Sequence, residues 1–356
     1  MKIALLSPIA WRTPPRHYGP WERVVSLLAE GLINQGVDVT LFATGDSLTR
    51  GTLKFRCPVP WEENKHLDAK VWESLHISYL FEQAGSFDLI HNHYDFLPLT
   101  YSRLVHTPLV TTIHGFSSSR ILPVYREYNR DTDYVSISYA DRHPDLDYVG
   151  NVYHGIDLES FEYQAAPGSY LLYFGRIHPD KGTREAIDIA LRCGQKLYLA
   201  GIIQDKEYFN QQVAPFIDNQ QIFYLGSVGP AQRNTLLGSA KALLHPIHFN
   251  EPFGLSVIEA MACGTPVIAF KRGSMPEVIA DGVSGYLVDN LNEACEKVDL
   301  IDRLCRKDCR HWVEERFSQS RMVQDYLALY KQILDRPGAG IQHSHIDGYT
   351  CEQDYS

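Results

Sequence analysis

Two doubly wound α/β domains facing a cleft are the architecture this sequence predicts. Three observations carry that reading. Short apolar runs alternate with stretches of helical periodicity through the first half of the chain. The runs are continuously apolar rather than alternating, as parallel strands covered on both faces require. The same pattern then restarts near residue 170 with a unit of similar size. Sheets of this kind bind ligands at the carboxyl ends of their strands.

The elements follow in order. Lys2–Leu6 is a first strand, and a Pro-rich loop runs from Ser7 to Gly19. Val24, Val25, Leu27, Leu28, Leu32 and Ile33 recur at helical spacing until Gly36 stops the helix. Val37–Phe42, Asp88–His91, Leu109–Ile113, Tyr134–Ile137 and Tyr148–Tyr153 read as further strands. In the second unit Tyr170–Phe174 is a strand, Thr183–Arg192 a helix and Lys196–Ala200 a strand. Ile222–Leu225, Ala242–Pro246 and Pro266–Phe270 follow, with helices between them. The polar stretch Glu159–Ser169 marks the boundary. The expected division is a first domain at 1–160, a second at 161–317, a terminal helix at 318–335 and a loose tail at 336–356.

Composition excludes several classes. With 356 residues, 44% hydrophobic and 21% charged, the chain is neither mainly disordered nor collagen-like nor a coiled coil. Its 33 Lys+Arg against 43 Asp+Glu leave a net charge of −10, a poor basis for sequence-independent nucleic-acid binding. No run approaches the ~18 apolar residues that span a bilayer. Ile3–Leu6 is too short for a signal peptide, so a cytoplasmic location is expected. Arg12, Arg16 and Arg23 are the one hint of peripheral membrane contact. Seven scattered cysteines, without a CxxC pair, read as reduced thiols.

The densest chemistry lies between Asn250 and Pro266. Pro252 and Gly254 keep Glu251 in a loop, while a helix from about Leu255 to Gly264 places Glu259 one turn inside. The first-turn N–H groups at Leu255 and Ser256 and the macrodipole favour an anion such as a phosphate. Glu251 and Glu259 can then hold hydroxyls on either side of it; the plain alternative is a capped helix with two solvated glutamates. Arg176 follows one strand and Lys181 opens the next helix, so both cations occupy a carboxyl edge. A planar fork and a point charge suit a diphosphate. Taken alone, either could be an ordinary surface charge.

These residues resemble the donor-binding half of retaining GT-B glycosyltransferases of family four. The likeness rests on two glutamates with seven residues between them, Glu251 and Glu259, on the run from Glu259 through Val267, and on Gly273-Ser274-Met275-Pro276-Glu277. It implies a GT-B fold and transfer of a sugar from a nucleotide diphosphate donor to a hydroxyl, with retention at the anomeric carbon. On this resemblance Arg176 and Lys181 grip the diphosphate, Glu259 the ribose and Glu251 the donor sugar. Phe253, Gly254, Leu255 and Ser256 shape the pocket, and Gly19 lies near the donor phosphates. His114, at a strand end before Gly115, is the acceptor-side histidine. No metal and no cofactor beyond the nucleotide-sugar co-substrate is implied. The chain departs from the pattern at Pro20, where a second glycine is usual, and at His154, where asparagine is frequent. Proline donates no N–H, so no phosphate contact is carried over to position 20.

Other histidines and aromatics stay open. His91 and His93 flank Asn92 at a strand end and suggest a metal site, but no third ligand is evident. His343 and His345 in the tail raise the same question. Tyr18, Trp21, Tyr94, Phe96 and Phe116 are candidates to stack on a sugar. The rival readings are a glycoside hydrolase using Glu251 and Glu259, a non-catalytic nucleotide-sugar binder, and a dehydrogenase. The last lacks a GxGxxG after the first strand.

Overall fold

The computed structural model describes residues 1–116 and 118–336; the expected tail beyond Arg336, with His343, His345 and Cys351, lies outside the described residues. The chain runs β1 (Lys2–Leu6), α1 (Pro20–Asn34), β2 (Asp38–Phe42), β3 (Thr52–Lys54), α2 (Ala69–Phe81), β4 (Leu89–Asn92), β5 (Leu109–Ile113), α3 (Leu122–Glu127), β6 (Asp133–Ser136) and β7 (Tyr148–Asn151). These strands form one parallel sheet in the order β3-β2-β1-β4-β5-β6-β7.

A second parallel sheet follows. It is built from β8 (Tyr170–Phe174), α4 (Thr183–Arg192), β9 (Lys196–Ala200), α5 (Lys206–Tyr208), β10 (Ile222–Gly226), α6 (Pro230–Gly238) and β11 (Ala242–His245). Next come α7 (Leu255–Ala262), β12 (Val267–Phe270), α8 (Met275–Val278), β13 (Gly285–Val288), α9 (Leu291–Leu300), α10 (Arg306–Arg316) and α11 (Gln319–Leu334). The strand order is β10-β9-β8-β11-β12-β13. Both sheets reverse direction of growth once, between β1 and β4 and between β8 and β11. A crevice opens outside the carboxyl ends at each reversal, and both site halves sit there.

Local chemistry sets the helix ends that matter. Gly19 precedes α1 at φ 145, and Pro20, with its φ already fixed, takes the first turn. Gly182 at φ 68 and Gly254 at φ 92 precede α4 and α7. The Ser318 side chain accepts the Arg321 N–H to start α11. That last helix returns to the first domain: Met322, Val323, Tyr326, Tyr330 and Ile333 share a core with Val25 and Leu28 of α1. The opposite face of the first sheet is covered by α2 through Ile77 and Leu80.

Candidate functional site

The second-domain half of the candidate site grows out of β8 and β11, neighbours at the second reversal point. Phe174 ends β8, and Arg176 lies two residues on; Lys181 sits one residue before Gly182. A Cβ on Gly182 would lie 1.8 Å from the Pro246 carbonyl oxygen, so only glycine lets this turn press against the exit of β11. The His248 N–H also donates to the Asp180 carbonyl at 2.8 Å. Lys181 Nζ is thereby brought 2.6 Å from Glu251 Oε2, and 4.4 Å from the centre of the Phe249 ring.

The Glu251 loop is clamped from behind. Gly273 has φ 53, and a Cβ there would stand 2.4 Å from both the Glu251 nitrogen and its carbonyl oxygen. The Ser274 N–H donates to the Glu251 carbonyl and its Oγ to the Phe253 carbonyl, each at 2.9 Å. The Gly273–Glu277 segment is therefore the floor under the loop. Burial alone would raise the Glu251 carboxyl, but His245 and Lys181 beside it outweigh burial and hold it at about 2. Glu251 is an anion at neutral pH and can only accept hydrogen bonds.

Glu259 is likewise buried, at 4% exposure, which removes the alternative of two solvated glutamates. Its Oε1 receives Arg233 Nη1 at 3.4 Å and Arg23 Nη1 at 3.2 Å, the latter from the opposite domain. Arg176 stays on the same edge as Lys181 but bonds to the Gln204 side chain rather than to either glutamate. Leu255 and Ser256, the first turn of α7, are partly open. The Phe253 ring is 3% exposed and lies in a cluster with Tyr153, His154 and Phe317.

The first-domain half gathers at the β1/β4 reversal. Gly19 is buried, and a Cβ would meet Pro15 at 2.9 Å and the Glu22 Oε2 at 3.0 Å. Glu22 beside it accepts the Trp11 N–H at 3.2 Å, and burial raises its carboxyl to about 7. His114 follows β5 with 7% exposure, stacked under Trp21 at 5.2 Å between ring centres. Both its ring nitrogens are taken: Nε2 by His93 Nδ1 at 2.9 Å and Nδ1 by His154 Nε2 at 3.3 Å. His91 continues the row, 3.9 Å from His93, and bonds to Tyr330 and Thr112 at 2.6 and 2.8 Å. The partners that His91 and His93 lacked in sequence are thus two more histidines, arranged as a stack and not around a point. Among the described residues, no group of three or more His, Cys, Asp or Glu is placed to hold a metal.

Several sequence expectations shift. Arg12 bonds to the Pro14 carbonyl, Arg16 pairs with Asp46 and Glu63, and Arg23 pairs with Glu259, so the three form no free basic face. No helix among the described residues is long and apolar enough to cross a membrane. Of the five candidate stacking aromatics, Tyr18 is the open one at 40% exposure; Tyr94 is in the core and Trp21 lies on His114. The six described cysteines are free. Glu277 was legible only as part of a motif, yet it bridges the domains: its carboxylate accepts the Tyr139 and Ala140 N–H groups at 2.8 and 2.7 Å and the Tyr153 hydroxyl at 3.0 Å.

Two Rossmann-like domains, with paired charges at one reversal point and histidines at the other, define a transferase of the GT-B class. A family model for glycosyl transferases group 1 matches residues 159–318, and one for glycosyltransferase family 4 matches residues 21–143. The chain belongs to the group 1 glycosyl transferases, the GT-B glycosyltransferases of family four. A protein of the Klebsiella pneumoniae cps region is 30% identical over 168 residues, 45% of this chain and 46% of that protein. The D-inositol 3-phosphate glycosyltransferase of Pseudarthrobacter chlorophenolicus is 26% identical over 336 residues, 78% of this chain and 80% of its own. Among solved structures, sucrose-phosphate synthase from Thermosynechococcus elongatus superposes with TM-score 0.76 at 18% identity, covering 94% of this chain and 99% of its own. Anabaena HepE, in complex with UDP and glucose, gives TM-score 0.71 at 20% identity, covering 93% and 100%.

Proposed function

We propose that this glycosyltransferase moves a hexose from a nucleotide diphosphate donor to a hydroxyl acceptor with retention of anomeric configuration. The observation that carries the reading is the Lys181–Glu251 pair beside the first turn of α7, with Arg176 on the same edge. In this reading Arg176, Lys181 and the α7 N–H groups neutralise the diphosphate as it leaves. Glu251, an anion at working pH, accepts hydrogen bonds from the donor sugar's hydroxyls. The ribose takes the Glu259 oxygen that the two guanidinium groups leave to it. The bond from the anomeric carbon to phosphate breaks, the bond to the acceptor oxygen forms on the same face, and the acceptor's proton passes to the departing phosphate. His114 orients the sugar or acceptor. The UDP bound by the HepE structure supports a nucleotide donor. A hydrolase reading could use Glu251, held at about 2, only as the ionised member of a carboxylate pair and not as its general acid, and the Lys181 ammonium at 2.6 Å already engages that carboxylate.

The test is a donor screen with the purified protein and a mixed acceptor pool, read as released nucleotide diphosphate. One donor should turn over, and the anomeric proton coupling of the product should match the donor's. Turnover is expected to survive EDTA, because the balancing cations are side chains. Complete loss in EDTA, restored by magnesium or manganese, would make this a metal-dependent transferase.

A further inference from the structure

The histidine row obeys a proton count that one residue cannot satisfy alone. A neutral imidazole carries one N–H donor and one bare acceptor nitrogen. His114 uses both nitrogens on other imidazoles, so it donates to one neighbour and accepts from the other. Only two arrangements exist. Either His154 donates to His114 and His114 to His93, or every one of these hydrogen bonds runs the other way. The two end atoms, His93 Nε2 and His154 Nδ1, are buried and have no hydrogen-bond partner in the protein. Their protonation follows from the direction of the row.

Geometry makes the row rigid and links it to the donor side. His93 follows β4, His114 follows β5 and His154 follows β7, so three separate strand ends fix the three rings. Trp21 covers the face of His114. His154 stands edge-to-face on Phe253 at 5.0 Å, inside the loop that carries Glu251. Burial lowers His114 well below its ordinary value, with His154 and His93 adding to the effect, so the ring is neutral.

We propose that His93 and His154 are positioning residues that hold the His114 ring in one orientation and tie its tautomer to their own. The effect of that lock on transfer rests on the role given to His114 above. His154 is the more informative of the two, because it connects the donor loop to the His114 ring.

The experiment uses full-length protein with ¹⁵N-labelled histidine, in which ring nitrogen shifts separate the two tautomers from each other and from imidazolium. His154→Phe keeps the ring packing on Phe253 but removes the nitrogen; His154→Gln keeps a polar atom that can donate or accept. In wild type the three rings are expected to share one neutral tautomer at pH 7, all carrying the proton on Nε2 or all on Nδ1; in His154→Phe the His114 shifts should depart from that pattern, and in His154→Gln they should return towards it. With the donor that turns over, His154→Phe should lower kcat by about ten- to a hundredfold at little change in donor KM, the scale of a misplaced catalytic group. His154→Gln should recover most of it. His114 shifts unchanged in both His154→Phe and His93→Phe would overturn the lock, whatever the turnover. Wild-type kcat in His154→Phe, with the His114 shifts changed, would overturn its link to transfer. Failure of every donor in the wild type would sink the transferase reading instead, and the spectra would still decide the lock.

Discussion

The two walls of the cleft carry opposite chemistry. On the donor side the groups are charged and paired: Lys181 with Glu251, Arg233 and Arg23 with Glu259. On the facing side the groups are neutral rings bonded to one another, His93 to His114 to His154. Paired charges can trade a protein partner for a ligand's phosphate or hydroxyl at modest cost, because the new partner replaces the old. A row of neutral imidazoles cannot trade so freely, since each ring's role depends on its neighbour's. On the proposed function, one wall exchanges partners and the other holds an orientation. Among the described residues, Arg23 with Glu259, and Glu277 with the Tyr139 and Ala140 N–H groups, use charge to join the walls.

The largest effect expected from breaking this contrast is at Glu251. Glu251→Gln removes the anion and leaves Lys181 without its partner; transfer should fall by at least about a hundredfold, the cost of losing a preorganised charge. Near-normal turnover at matched thermal stability would remove Glu251 from the site. The floor beneath it comes next. Gly273→Ala places a Cβ 2.4 Å from the Glu251 backbone in a left-handed conformation. Chemical denaturation should show a loss of about 2–4 kcal/mol, and a loss below 0.5 kcal/mol would mean the loop yields freely.

Acid–base behaviour should also differ between the walls. Glu22 is held at about 7 in the folded protein against an ordinary 4.5, so the folded state binds the proton more tightly than the unfolded one. Stability should therefore fall as pH rises from about 4.5 to about 7 and level off above, by about 3 kcal/mol in all. Glu22→Gln should abolish that slope, as read by urea denaturation across the window; an unchanged slope would place its origin elsewhere. Glu251 has the opposite sign: its contribution is present above about 4.5 and is lost as pH falls towards about 2. The smallest effect belongs to Arg23→Ala. Its guanidinium is one-third exposed and Glu259 keeps Arg233, so stability should fall by about 1 kcal/mol or less.

Much of the donor wall was legible because its signals are local. β1, β5, β8, β9 and α4 fall on the boundaries read from sequence, since each is a short apolar run or an amphipathic stretch closed by glycine or a loop. Glu251, Glu259, Arg176 and Lys181 lie within sequence-local motifs. The elements left unread have weaker local marks. β3 is three residues on the sheet edge, and the apolar residues of α2 are spread round its axis without a stripe. The histidine row was unreadable for another reason. His93 and His114 are 21 residues apart and His114 and His154 are 40, and only parallel pairing of β4, β5, β6 and β7 brings their ends together. Arg23 meets Glu259 across 236 residues and Glu277 meets Ala140 across 137, distances at which no local pattern speaks.

The central claim is that Arg176 and Lys181 together grip a diphosphate, and calorimetric titration tests it most directly. UDP, ADP and GDP, each with its parent nucleoside, would be titrated into wild type, Arg176→Ala, Lys181→Ala and Lys181→Arg, with thermal melting as a control on folding. The diphosphate that binds wild type should weaken by about 1.5–3 kcal/mol per charged hydrogen bond lost in each alanine variant. Lys181→Arg should not restore it, because a planar fork does not fill the place of a point charge between Glu251 and Phe249. The matching nucleoside, lacking phosphates, should bind all four proteins alike. Unchanged diphosphate affinity in both alanine variants would contradict the placement of the anion site, and the donor assignment would fall with it.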